Sequence, residues 1–268
     1  MSVTVAESLG RNLLLRALQP ADRALIAPHL EPTELARGAV MFAPGDPVSH
    51  ITFPCDRTVV AMAITMLDGR TAETATVGRE GAVGGVVSQG YLPAFSRAAV
   101  QIGGPALRLE AGRLQAAKHA SRTLRNLFTR YADCLLAQLL QSVACNALHP
   151  IEQRAAKWLL TLHDRLSSDV LPITQDVLAE MLGVRRTYLS GVLRGLHERG
   201  MIAVTRGRIA IRDRPALERA ACECHGRVRR HFEEVLGAVY LDDGTLVAVD
   251  PAAAAAPADG KPPHGKAA

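Results

Sequence analysis

Residues 173–212 read ITQDVLAEMLGVRRTYLSGVLRGLHERGMIAVTRGRIAIR, and the change of period within them sets the fold. Leu189, Val192, Leu193 and Leu196 recur at i, i+3, i+4 and i+7, the apolar stripe of a half-buried helix. The other face of that helix carries Thr187, Ser190, Gly191 and Arg194, with Arg185 and Arg186 in its first turn. Upstream, Thr174 is placed as the N-cap of a shorter helix whose buried face is Leu178, Met181 and Leu182. Gly183 falls between the two, where the turn of a helix-turn-helix needs a left-handed backbone. Gly200 ends the second helix. Beyond it the period becomes two: Ile202 and Val204, then Ile209 and Ile211, flank Arg206 and Gly207, the pattern of a tight hairpin.

A helix-turn-helix followed by a hairpin has the shape of a winged DNA reader. An α-helix fits the major groove, and side chains of its first turns reach base edges. Arginine donates twice to a guanine, and Thr or Ser serves either kind of edge. The candidate contacts are Arg185, Arg186, Thr187, Ser190, Gly191 and Arg194 on the helix, with Arg206 and Arg208 of the wing suited to phosphates. The competing reading is an ordinary helical pair with a solvated basic face. Wing, arginines and glycine placement together favour the reader. The assignment requires the arginine-tipped helix to project from the body.

The 268 residues allow one or two domains with cores of their own. A net charge of +5 and a pI near 9.2 permit a polyanionic partner without requiring one. No apolar run is long enough to span a membrane, and MSVTVAESLGRNLLLRAL lacks the pattern of a secretory leader, so a cytoplasmic location with no membrane partner is expected. The five cysteines, Cys55, Cys134, Cys145, Cys222 and Cys224, show no framework spacing and are expected as reduced thiols.

Along the chain, residues 12–30 predict one or two short helices. From Glu31 to about Leu109 short β-prone runs alternate with turn signals: Val40 to Phe42, Ile51 to Phe53, Thr58 to Met66, and Thr71 to Val77 after a two-residue Asp68-Gly69 hairpin. That texture predicts a small antiparallel barrel or roll. The glycine-rich stretch 78–85, GREGAVGG, can bring backbone amides close to an anion. From about Ala116 a long helix begins, with Leu124, Leu127, Phe128, Tyr131, Leu135 and Leu139 as its seam. The seam serves either a core or a dimer contact; Leu124, Leu127, Phe128, Tyr131 and Leu135 are assigned to the dimer. His149-Pro150 breaks that helix. Glu152 to Leu166 is amphipathic, with Ala155, Trp158, Leu159 and Leu162 inward. Pro215 to Leu236 reads as one helix, and the Ala/Pro/Gly-rich end as disordered. The expected organisation is α+β: an antiparallel β-roll over 12–115, a long dimerisation helix over 116–148, a winged helix-turn-helix domain over 149–238, and a tail over 239–268.

This order of parts, together with PGDPVSHITFP, the Asp-Gly hairpin, VGREGAVGG and LPITQDVLAEMLGVRRTYLSGVLRGLHERGMI, resembles the Crp/Fnr family of bacterial transcription regulators over roughly Leu13 to Arg214. The resemblance implies a cyclic-nucleotide-binding-like roll, a homodimer on a palindromic operator, RNA polymerase as a further partner, and control of DNA binding by an effector. It places base contacts at Arg186, Thr187 and Gly191, the last standing where some members use a second arginine. The effector pocket departs from the cyclic-AMP-binding pattern. Gly84-Gly85 lacks the glutamate that holds the ribose, and Ser96-Arg97-Ala98 reverses the Arg-Ser pair that holds the phosphate. An arginine moved one place along a strand faces the other way. The expected effector is therefore an unidentified small molecule other than cyclic AMP.

No cofactor or metal ligand set is assigned. No cysteine precedes Cys55, which removes the N-terminal thiolate set of the oxygen-sensing members. His50 and His119 are the candidates for a haem ligand, but each reads better as a surface or capping residue. Cys222, Cys224 and His225 could contribute to a zinc or redox site, but they would sit in one helix, where i and i+2 point apart, so the structural or incidental reading is favoured; Cys134 and Cys145 read as buried hydrophobes. Nucleophile elbow, P-loop and metal-ligand helix motifs are absent from the sequence, so an enzyme is not expected. The alternative to a DNA regulator is a small-ligand-binding module without sequence readout.

Overall fold

The computed structural model describes residues 9–86, 93–166 and 168–249. Helices α1 (Leu13–Arg16) and α2 (Pro20–Ile26) and a 3-10 turn, Ala27–His29, precede the strands. Strands β1 (Glu31–Leu35), β2 (Val40–Phe42), β3 (His50–Pro54), β4 (Val59–Thr65), β5 (Thr71–Val77), β6 (Arg97–Ile102) and β7 (Gly104–Glu110) follow. They pair antiparallel in the orders β1-β7-β3 and β2-β6-β4-β5, the expected roll. The hairpin between β4 and β5 is wider than a two-residue turn. Thr65 pairs with Thr71, and residues 66–70 close the loop with Gly69 at φ 81°. The Met66 amide bonds the Arg70 carbonyl, which absorbs the extra residues.

The long helical run is two helices, α3 (Ala111–Ala120) and α4 (Arg122–Leu148). The break is chemical. Ser121 is extended, its hydroxyl accepts from the Leu124 amide, and the Ser121 and Thr123 hydroxyls both donate to Asp22. Helix α4 ends before His149, held in extended backbone by Pro150.

The seam expected at a dimer contact is used within the chain. Leu124, Leu127, Phe128 and Tyr131 are buried in the roll core with Ile51, Phe53, Leu107 and Leu109, and Leu135 packs half-buried on the β4–β6 cluster. The reason is reach. The first half of α4 lies over the mouth of the roll, and Phe128 meets Phe53 edge-on at 6.2 Å. The second half turns a different stripe outward: Leu136, Leu140 and Val143 are 52%, 63% and 71% exposed, with exposed Ala147 completing the row.

The second module comprises α5 (Ile151–Leu166), β8 (Val170–Leu171), α6 (Gln175–Leu182), α7 (Arg186–Glu198), β9 (Ile202–Thr205), β10 (Arg208–Ile211) and α8 (Arg214–Ala220). The last expected helix is also broken. After α8 the chain turns at 221–223 before α9 (Cys224–Leu236). Helix α9 lies along α4, and Phe232 and Leu236 enter the roll core. Strands β11 (Ala238–Tyr240) and β12 (Leu246–Val249) form a hairpin where disorder was expected from 239 onward. Its buried Leu246 and Val249 join the same core, and Arg16 and Arg79 donate to the Val247 and Leu246 carbonyls. Residues 250–268 of the expected tail lie outside the described residues.

Roll and second module share an apolar cluster that includes Val59, Ala61 and Ile102 of the roll, and they also meet through polar groups taken out of water. Arg165 of α5 donates to Glu80 at 2.8 Å and to the Thr76 carbonyl at 3.0 Å. Trp158, expected as a core residue, is buried and also donates its indole N–H to Glu73 at 2.9 Å. Gln138 of α4 donates to the Thr76 carbonyl at 3.1 Å.

Candidate functional site

Thr174 caps α6, accepting from the Val177 amide. Gly183 makes the turn at φ 68°, a conformation that costs a side chain strain. Helix α7 then buries Leu189, Val192, Leu193 and Leu196 against α5 and α6. That leaves Arg185, Arg186, Thr187, Gly191 and Arg194 exposed at the surface, with the missed Tyr188 beside them at 57% exposed. Ser190 is drawn inward, donating to Gln175 at 2.7 Å. Arg186 pairs with Asp176 across the turn at 3.1 Å, both groups well exposed. A pair of that kind contributes ~1 kcal/mol at most, so it orients the guanidinium without holding it back. A Cβ at Gly191 would meet open space.

The wing forms as expected. Arg208 pairs with Thr205 around a two-residue loop, Gly207 has φ 78°, and Arg206 and Arg208 are exposed. Strand β8 pairs on the other side of β10 and fixes the wing to the body.

The expected effector residues behave as packing residues of the roll. Gly84 has φ 114°, and a Cβ there would lie 2.3 Å from the His50 carbonyl oxygen. A Cβ at Gly81 would lie 2.3 Å from the Tyr131 hydroxyl, which donates to the Ala82 carbonyl. The glycines of this stretch therefore admit backbone and an aromatic ring. The Gly78 amide donates to the Glu80 carboxylate, and the Gly81, Val83 and Val86 amides donate to backbone carbonyls, so these four are taken up within the protein. Gly85 and Ser96 are buried, and Ala98 is fully buried on the face of β6 opposite half-buried Arg97. A cavity of ≈ 240 Å³ opens elsewhere in the roll, lined by Thr33, Phe42, His50, Thr52 and Arg108 among others. His50 is bonded to the Ser49 hydroxyl at 2.8 Å, and His119 is exposed on α3.

Perturbed ionisable groups collect around a void of ≈ 40 Å³ between α4, α5 and α9, room for a few waters. Burial pushes the Glu73 carboxyl up, against donation from Thr76 and Trp158. Burial works the same way on Asp164, but His225 at 2.8 Å and Arg214 at 2.8 Å outweigh it and hold that carboxyl below its ordinary range. Each is paired into the scaffold.

The break between α8 and α9 changes the reading of the cysteines. Cys222 and Cys224 do not lie in one helix. The turn brings both thiols to the end of α4, where Cys145 and His149 stand one helical turn apart. All four donor atoms lie within 4.8 Å of one another; Cys145 Sγ is 3.6 Å from Cys222 Sγ, and Cys224 Sγ is 3.4 Å from His149 Nδ1. The hydrogen bond between Cys145 and Cys222 holds the Cys145 thiol below its ordinary value and pushes the Cys222 thiol up. His225, expected beside them, faces Asp164 instead. Cys134 remains a buried hydrophobe, its thiol pushed up to about 12 by burial.

Residues 153–220 match the Crp-like helix-turn-helix domain family. No curated protein matches the sequence. Among solved structures, FixK2 from Bradyrhizobium japonicum is similar at a TM-score of 0.64 and 15% identity, covering 72% of this chain and 98% of that one. The c-di-GMP responsive global regulator CLP of Xanthomonas campestris gives 0.57 and 17%, covering 71% and 97%. A CRP family transcriptional regulator from Thermus thermophilus gives 0.58 and 21%, covering 70% and 96%. Among the described residues, no helix is long and apolar enough to cross a membrane. The chain has the fold of the Crp/Fnr transcription regulators and carries a Crp-like helix-turn-helix domain.

Proposed function

We propose that the protein is a homodimeric, sequence-specific DNA-binding transcription regulator of the Crp/Fnr type, without enzymatic activity. One observation carries this reading. Arg185, Arg186 and Thr187 stand exposed together at the start of a helix whose opposite face is wholly buried, with two wing arginines alongside. Such a helix presents donors to base edges while Arg206 and Arg208 take phosphates and set register. The exposed stripe Leu136, Leu140, Val143 and Ala147 advances by four, three and four residues, the step of a two-helix seam. Two copies joined there place two reading helices on a palindromic operator, about 34 Å apart. Bound to its operator, the dimer is then positioned to contact RNA polymerase.

The effector of this reading acts through the roll and is not cyclic AMP. The phosphate-holding arginine has moved to the half-buried face of β6, and the Gly78, Gly81 and Val83 amides of the glycine-rich stretch are already bonded. Calorimetric titration with cyclic AMP and cyclic GMP is expected to show no micromolar binding. Selection of bound duplexes from a random pool, followed by mobility shift against scrambled competitor, tests the main claim. A palindromic consensus is expected; equal affinity for cognate and scrambled duplexes would favour a ligand-binding module without sequence readout.

A further inference from the structure

We propose that Cys145, His149, Cys222 and Cys224 form a zinc site that fastens the end of the long helix to the turn between the last two helices. The donor set is three sulfurs and one imidazole nitrogen, a composition that structural zinc sites use. Two of the six spacings within the cluster match the ion, and all six lie within 4.8 Å. Zn–S bonds of about 2.3 Å and Zn–N bonds of about 2.0 Å at tetrahedral angles require edges of about 3.8 Å between sulfurs and about 3.5 Å between sulfur and nitrogen. The corresponding pairs stand at 3.6 Å for Cys145 and Cys222, and 3.4 Å for Cys224 and His149. Cys145 comes from the last turn of α4 and His149 from the extended residue that caps it, while Cys222 lies in the turn between α8 and α9 and Cys224 opens α9, an arrangement that exists only because α8 and α9 are separate.

The surroundings are those of a metal site as well. The ring nitrogen of His149 that faces away from the sulfurs lies 3.3 Å from the Glu223 carboxylate, the outer partner that fixes the tautomer of a zinc-ligating histidine. Gln141 donates to Cys224 Sγ at 3.1 Å. The three thiols are buried, and His149 lies at the surface side as the route of entry. On binding, each thiol still protonated releases its proton to solvent. The product is Zn²⁺ with three thiolates and a neutral imidazole, a net charge of −1 near the Lys157 ammonium.

The site joins α4, which carries the exposed apolar stripe, to the end of the helix-turn-helix domain. Its existence does not depend on DNA readout. The test uses the reduced full-length chain, stripped of metal and titrated anaerobically with Co²⁺ alone. One equivalent is expected to give the intense visible bands of tetrahedral thiolate-bound cobalt, bleached by one equivalent of Zn²⁺. Cys224→Ser and His149→Ala should lower Co²⁺ affinity at least tenfold, and His149, being at the surface side, can be replaced with the fold intact by circular dichroism. Cys134→Ser should leave the bands unchanged. Absence of the bands at one equivalent, or bands that survive in both Cys224→Ser and His149→Ala, overturns the proposal. So does a chain that fails to take up metal and forms only a Cys145–Cys222 disulfide on exposure to air.

Discussion

Arg165 and Glu80 form a buried ion pair across the joint between the roll and the helix-turn-helix domain, with N···O at 2.8 Å and side chains 11% and 3% exposed. Glu80 belongs to the glycine-rich stretch of the roll, and Arg165 to the helix that supports the reader. Removing one partner strands a charge in the interior. Glu80→Ala is expected to cost about 3–5 kcal/mol, read as a lower urea midpoint. Replacing both residues by apolar side chains should cost much less. Equal losses in the single and double variants would show that packing, not charge, holds the joint.

Arg186 is the strongest single candidate for base contact. Arg186→Ala should weaken binding to the selected operator by about 1–3 kcal/mol while leaving binding to scrambled duplex nearly intact. The exposed pair with Asp176 contributes little to folding, so the variant should melt with the parent chain. Parallel losses on both duplexes in a mobility-shift series would remove Arg186 from direct readout.

Gly191 lies mid-helix with open space around the position of a Cβ. Alanine is the better helix former, so Gly191→Ala should stabilise the fold by about 0.5–1 kcal/mol. If the glycine serves close approach to DNA, the same variant binds its operator more weakly. Greater stability with undiminished operator affinity would show that the position faces no DNA.

The outward stripe on α4 should hold two copies together. Leu140→Glu or Val143→Glu is expected to give a folded monomer in sedimentation, because these side chains make no core of their own chain. Leu124→Glu should instead unfold the protein, since burying such a side chain contributes about 1.5–3 kcal/mol and its replacement buries a charge. A dimer that persists in Leu140→Glu would place the contact elsewhere.

Glu73 gives a pH signature. Its folded pKa is raised above the ordinary 4.5 by burial, so the folded state holds the proton more tightly than the unfolded chain does. The associated stability is full below about pH 4.5 and is lost as pH rises through the raised value. Glu73→Gln retains an acceptor for Trp158 and removes the titration. It should be more stable than the parent at neutral to alkaline pH and show a flatter profile. A parent profile without that decline would contradict the assignment.

Local order was legible without the structure. The 3.6-residue stripe of α7, the left-handed glycines at 183 and 200, the two-residue wing loop and the proline break at His149 each follow from neighbours in the chain, and all stand as read. Steric and capping rules act over a few residues, so a few residues suffice to apply them. The split at Ser121 was harder to see because Asp22, which secures it, lies about a hundred residues away.

The order of residues was enough to establish the kind of most elements and the arginine-tipped second helix of the helix-turn-helix. Packing in three dimensions settled which of two apolar stripes on α4 is used inside the chain, since both have helical spacing and only the position of the roll distinguishes them. Packing also settled that the last helix and hairpin return to the first module, and that Cys145 and His149 meet Cys222 and Cys224. Contacts between residues about 75 apart depend on how helices pack, and packing is set by the shape of whole surfaces rather than by the period of any one segment.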